Sequence, residues 1–182
     1  TKNTCSNGPG ILLALDLYNA TGKKSYLDTA RLLYCWVNEY LRSPDGIYWD
    51  AIKPAENNRI DSAAYTYNTG TMLEANVKLY FITKNTHYLK AAQNIAAGSY
   101  RRFFRNGRFR SSYWFNAVLL RGYDALYKAD KNRKYINAMQ EYADDVWARD
   151  RDNSTNMIGA RPEKELLDQA GMIEIYARLA GM

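Results

Sequence analysis

The chain has 182 residues, enough to bury a core, and its 25 Lys and Arg against 19 Asp and Glu leave a net charge of +6. So mild an excess does not imply a nucleic-acid binder, and no apolar run is long enough for a transmembrane segment. The unusual count is 16 tyrosines beside four tryptophans, residues whose apolar ring and polar tip suit packing between helices and half-wet clefts alike.

In chain order, Ser6-Asn7-Gly8-Pro9-Gly10 predicts a helix start near Gly10, because Asn and Pro suit first turns. That helix runs to about Ala20 and stops at Gly22. A partner over 24–42 ends before Ser43-Pro44-Asp45-Gly46, a strong turn signal. Residues 43–65 read as a long irregular segment with strand signals confined to Ile47–Trp49, and such segments are usually functional. Helices follow over 69–84 and 86–104, then a basic turn, Arg101 to Arg110, interleaved with Phe103, Phe104 and Phe109. Helices over 114–129 and 132–149 and a loop over 150–162 precede a last helix, 163–180, with Pro162 before its first turn. The expectation is an all-α chain of seven helices in a single domain spanning 1–182, without an internal linker.

Three stretches share one pattern: an apolar helix ending in Leu-Tyr, a polar turn, and a second helix opening on tyrosine. The marker pairs Tyr18 and Tyr26, Tyr80 and Tyr88, and Tyr127 and Tyr135 are equally spaced. One such hairpin cannot bury its apolar face alone, so the copies must stack into a solenoid or a ring. The unequal connections collect at one side of the stack, the side where repeat proteins bind.

Three junctions precede the first helix of a pair: Lys2 to Gly8, Tyr65 to Gly70, and Tyr113 to Asn116. Equivalent places in a repeat cluster at one end. Amides make paired hydrogen bonds to vicinal hydroxyls and flat rings cover a sugar's C–H face, so these junctions fit a carbohydrate cleft. Asn3, Asn7, Asn68 and Asn116 serve equally well as helix caps. Asp50, behind Tyr48 and Trp49, could orient a sugar hydroxyl or act as a turn residue. Asp45, Glu56 and Asp61 read as solvated loop acids. Asp144 and Asp145 point about 100° apart on a helix, so at most one faces inward. His87 reads as a surface or capping residue, and Cys35, on an apolar helix face, as a buried thiol. No phosphate loop, metal motif or Ser-His-Asp grouping is present, and no cofactor or metal is expected.

With these motifs in place, the chain resembles the second half of glycoside hydrolase family 76, the α-1,6-mannanase family. The residues that carry the resemblance are Lys2-Asn3-Thr4-Cys5-Ser6-Asn7-Gly8, Asp45-Gly46-Ile47-Tyr48-Trp49-Asp50-Ala51-Ile52, Thr66-Tyr67-Asn68-Thr69-Gly70, Leu119-Leu120-Arg121-Gly122 and Leu166-Leu167-Asp168-Gln169-Ala170. It implies an (α/α)6 toroid of helical hairpins, here incomplete, and endo-type hydrolysis of α-1,6-mannan outside the cytoplasm. It also implies substrate-binding roles for Asn3, Trp49, Asp50, Tyr67, Asn68, Trp114 and Arg121, with Asp50 as an accessory carboxylate. The family's catalytic Asp-Asp pair is expected upstream of Lys2, in an N-terminal half of the same protein, and Asp144-Asp145 does not match its place. A transglycosylating or glycan-binding relative, or a helical scaffold that binds proteins, are the other expectations. No nucleic-acid partner is expected.

Overall fold

The computed structural model describes residues 1–159 and 161–182. Among them are seven helices: α1 (Thr4–Thr21), α2 (Lys24–Tyr40), α3 (Thr66–Thr83), α4 (Thr86–Phe103), α5 (Tyr113–Asp130), α6 (Lys134–Arg149) and α7 (Leu166–Ala180). Helices α1, α3, α5 and α7 pack side by side as an inner layer, and α2, α4 and α6 back onto α1, α3 and α5. This is an arc of an α/α toroid. The core between the layers holds Ile11, Leu15, Met72, Leu73, Leu79, Ile95, Leu119, Leu120 and Ile175, all fully enclosed.

The marker tyrosines have a backbone cause. Each hairpin turns at a left-handed residue four positions after the first tyrosine: Gly22, Lys84 and Lys131, at φ 69°, 57° and 60°. In each case that residue's N–H donates to the tyrosine carbonyl, Tyr18, Tyr80 or Tyr127, at 2.8 Å. This caps the helix and fixes the reversal. The second tyrosines join one outer helix to the next: Tyr88 meets Tyr34 edge-on with centroids 5.6 Å apart, and Tyr135 meets Tyr100 at 6.0 Å.

Several boundaries differ from the sequence expectation. Helix α1 begins at Thr4, because the Asn3 carboxamide accepts the Ser6 N–H and caps it there; Pro9 lies inside the helix. The 43–65 segment is ordered as a hairpin, β2 (Trp49–Lys53) and β3 (Arg59–Ala64), turning through Asn57 and Asn58, both left-handed. Asparagine tolerates that conformation. Strand β1 (Lys2–Asn3) adds to β2, giving an antiparallel sheet in the order β1-β2-β3. The basic turn is a second hairpin, β4 (Phe104–Arg105) and β5 (Arg108–Phe109), reversing at Asn106-Gly107, which supplies the two positive φ angles of a tight turn. Helix α7 starts at Leu166, three residues later than expected. Gln169 exchanges hydrogen bonds with the Ile158 backbone, at 2.8 and 2.6 Å, and so ties the preceding segment to the helix start. Cys35 is exposed, and so is Cys5; the apolar stripe of α2 runs along its other face.

Candidate carbohydrate site

Both hairpins and the described residues between α6 and α7 follow outer helices, so they lie at one end of the stack, with the starts of α1, α3 and α5. Strand β2 is the bridge. Asn3 pairs with Ala51 in the sheet, and the Thr4 hydroxyl donates to the Trp49 carbonyl at 2.6 Å. Between those positions Asp50 projects to the start of α3. Its Oδ1 accepts from Tyr67 Oη at 3.2 Å and from Asn68 Nδ2 at 3.0 Å. Burial, then the neighbouring Asp50 charge, pushes the Tyr67 phenol well above its ordinary pKa, so it remains a neutral donor.

The ring of Tyr67 stacks on Tyr65 at 5.5 Å and meets Phe115 at 4.3 Å. Trp114 stands against Phe115 at 5.5 Å. Tyr67, Trp114, Phe115, Glu74 and Arg121 line a cavity of about 390 Å³ between α1, α3 and α5. Its aromatic wall and few polar groups have the make-up of a sugar site. On its α5 side Arg121 forms a two-pronged pair with Glu174, Nε to Oε1 and Nη2 to Oε2, both 2.6 Å. Arg178 adds a bond to Glu174 at 2.8 Å. The Arg121 and Arg178 bonds hold the Glu174 carboxyl down to about 2, against the opposing effect of burial.

The structure thus joins Asp50, Tyr67 and Asn68 by hydrogen bonds, and Tyr67, Trp114 and Arg121 around one cavity. Asn68 is fully enclosed, so its carboxamide acts on Asp50 from behind. Asn3 caps α1 and lines a neighbouring cavity with Lys2, Asn7 and Trp36. Trp49 packs against the core and is not part of the aromatic wall.

Asn116 does not cap α5. It is enclosed, accepts from the Thr66 hydroxyl at 3.0 Å and donates to Tyr142 Oη at 3.0 Å, tying α3, α5 and α6 together. Of the adjacent aspartates, Asp145 turns inward to Arg108 and Arg149 while Asp144 is exposed, which makes both structural or solvated. Asp61 pairs with Lys53 at 3.0 Å and Glu56 with Arg59. His87 is exposed, and Asn85 rather than His87 caps α4. Glu74 escaped the sequence reading, though it sits two helical turns after Tyr67 on the same face, a spacing that could have shown it.

The family model for glycosyl hydrolase family 76 matches residues 1–117. A mannan endo-1,6-alpha-mannosidase of Candida glabrata, DCW1, is 33% identical over 86 residues, 45% of this chain and 19% of that protein. A family 76 glycoside hydrolase from a bovine Bacteroides thetaiotaomicron strain superposes with a TM-score of 0.89 at 31% identity, over 98% of this chain and 43% of that one. A family 76 mannosidase of Bacteroides thetaiotaomicron gives 0.86 at 29%, over 98% and 54%. The chain spans about half, or less, of the length of each of these relatives. With that match, the shared toroid arc and the junction motifs in place, the chain belongs to glycosyl hydrolase family 76.

Proposed function

We propose that this chain forms the substrate-side wall of an endo-acting hydrolase of α-1,6-mannan that works outside the cytoplasm. The observation that carries this is the Asp50–Tyr67–Asn68 cluster opening beside the cavity walled by Tyr67, Phe115 and Trp114. A carboxylate whose second oxygen is left to a ligand, next to flat rings, can fix a mannose by its vicinal hydroxyls and its C–H face. Arg121, held by Glu174, offers its remaining N–H groups to sugar oxygens. Glycosidic cleavage takes two carboxyl groups that flank the bond. Asp144 and Asp145 do not fill that role, since Asp145 is committed to two arginines. The proposal therefore assigns the acid pair to another part of the full-length enzyme, and gives Asp50 an accessory, orienting role.

The test is titration of the chain with α-1,6-mannotetraose, followed by tryptophan fluorescence. A saturable change that disappears in Trp114→Phe is expected, with no response to a β-1,4-linked glucan oligomer. Equal responses to both sugars, or none to either, would overturn the proposal.

A further inference from the structure

A third cavity lies at the same end of the stack, on the far side of Asn116. It encloses about 400 Å³ between the β4–β5 hairpin, the start of α5 and the end of α6. Its lining carries four guanidinium groups, Arg105, Arg108, Arg110 and Arg149, and one carboxylate, Asp150. Asp145 stands behind this lining, and Glu141 approaches the hairpin tip at Gly107 without lining the cavity.

The two carboxylates nearest the cavity, Asp150 and Asp145, each pair with arginine, Asp150 through Oδ2 alone. Asp150 accepts from Arg108 and, at 2.8 Å, from Tyr113 Oη. Asp145 lies 3.2 Å from Arg108 Nε and 2.8 Å from Arg149 Nε. Burial alone would depress the Arg108 guanidinium; Asp150 and Asp145 more than offset this, and its pKa rises. Arg108 is therefore a fixed, permanent cation. Arg105 and Arg110 are exposed, with no carboxylate partner among the described residues. The first turn of α5 adds to the positive field, because Ser112 gives it no side-chain cap.

Guanidinium forks from different walls suit a tetrahedral oxyanion, whose oxygens diverge, better than a planar carboxylate, which one or two forks satisfy. The volume exceeds what a bare anion fills, and Phe109, Tyr113 and Tyr142 supply aromatic surface beside it. We propose that this cavity binds a phosphate group carried on a sugar. This goes beyond the mannan proposal and takes from it only the choice of mannose as the sugar, since no residue of the cavity is shared with the Asp50 site.

The experiment is calorimetric titration of the chain with mannose 6-phosphate, mannose and inorganic phosphate, at low and raised salt. Mannose 6-phosphate is expected to bind at least about tenfold tighter than mannose or inorganic phosphate and to weaken as salt rises. The double variant Arg105→Gln/Arg110→Gln should lose about tenfold in affinity. Arg149→Gln reports on the same cavity from the α6 wall, and Lys128→Gln, in another cavity, should bind as the parent does. Melting temperatures establish that each variant is folded. Equal binding of mannose and mannose 6-phosphate, equal binding of inorganic phosphate and mannose 6-phosphate, or affinity unchanged in both arginine variants would each overturn the proposal.

Discussion

Asn68 Nδ2 lies 3.0 Å from Asp50 Oδ1, and Asn68 itself has no exposed surface. The amide thus positions the carboxylate without reaching a ligand, and the two residues are separable by mutation. Asp50→Asn keeps an oxygen that can accept from the buried Asn68 amide, so it should weaken α-1,6-mannotetraose binding by about tenfold while leaving the melting temperature nearly unchanged. Asn68→Ala should weaken binding only several-fold but cost about 2 kcal/mol of stability, the price of a buried charge-assisted hydrogen bond. Calorimetry and thermal unfolding of both variants check this, and a reversed pattern would show that Asn68 is the ligand group.

Cys5 lines the same cavity as Tyr67 and Trp114, whereas Cys35 is exposed on the outer helix α2. Both thiols should react with a thiol reagent in the folded chain. Saturating α-1,6-mannotetraose should slow labelling of Cys5 and leave Cys35 unaffected, so one protein carries both probe and control. Equal protection of the two would point to a global effect and against occupancy of this cavity.

Gly70 and Gly122 close one contact from both sides. A Cβ at Gly70 would meet Leu119 Cα at 2.5 Å and the Val118 carbonyl at 2.6 Å; one at Gly122 would meet the Gly70 carbonyl at 2.6 Å. These are backbone atoms and cannot swing away, so α3 and α5 would have to separate. Alanine at either site should cost about 3 kcal/mol and roughly 10 °C in Tm, against the small gain expected for Gly→Ala inside an unconstrained helix. Thermal melts decide the matter, and a neutral or stabilised variant would mean the crossing is looser than described.

That glycine pair shows what the sequence could convey. Gly70 and Gly122 end two of the quoted motifs, yet nothing in either motif reveals that the two touch. The repeated tyrosines announced the hairpins and their stacking, because a capped helix end is written locally in a few residues. The β2–β3 hairpin stayed hidden: its turn is made by Asn57 and Asn58, and its pairing with Lys2 and Asn3 spans about fifty positions. Asp50, Tyr67 and Asn68 were legible as site candidates one by one. Their union depends on the long-range pairing of β1 and β2. Glu174, which fixes Arg121, lies 53 positions away from it in the chain and gave no local sign.

The Arg121–Glu174 pair also sets an acid limit. The Glu174 carboxyl has an ordinary value of 4.5 and is held at about 2 in the folded chain. A depressed folded value means the stabilisation is fully present above the unfolded pKa and is lost as the pH falls through the folded one. The loss therefore begins near pH 4.5 and is complete near pH 2. The pair is partly solvent-exposed, at 40% for Arg121 and 26% for Glu174, so screening reduces its contribution to about 1 kcal/mol. Glu174→Gln should lower stability by about that amount at neutral pH, and the gap to the parent should close as the pH drops through this window. Urea melts of both proteins from pH 7 to pH 2 measure the gap. An undiminished difference at pH 2 would show that Glu174 does not stabilise the chain through its charge.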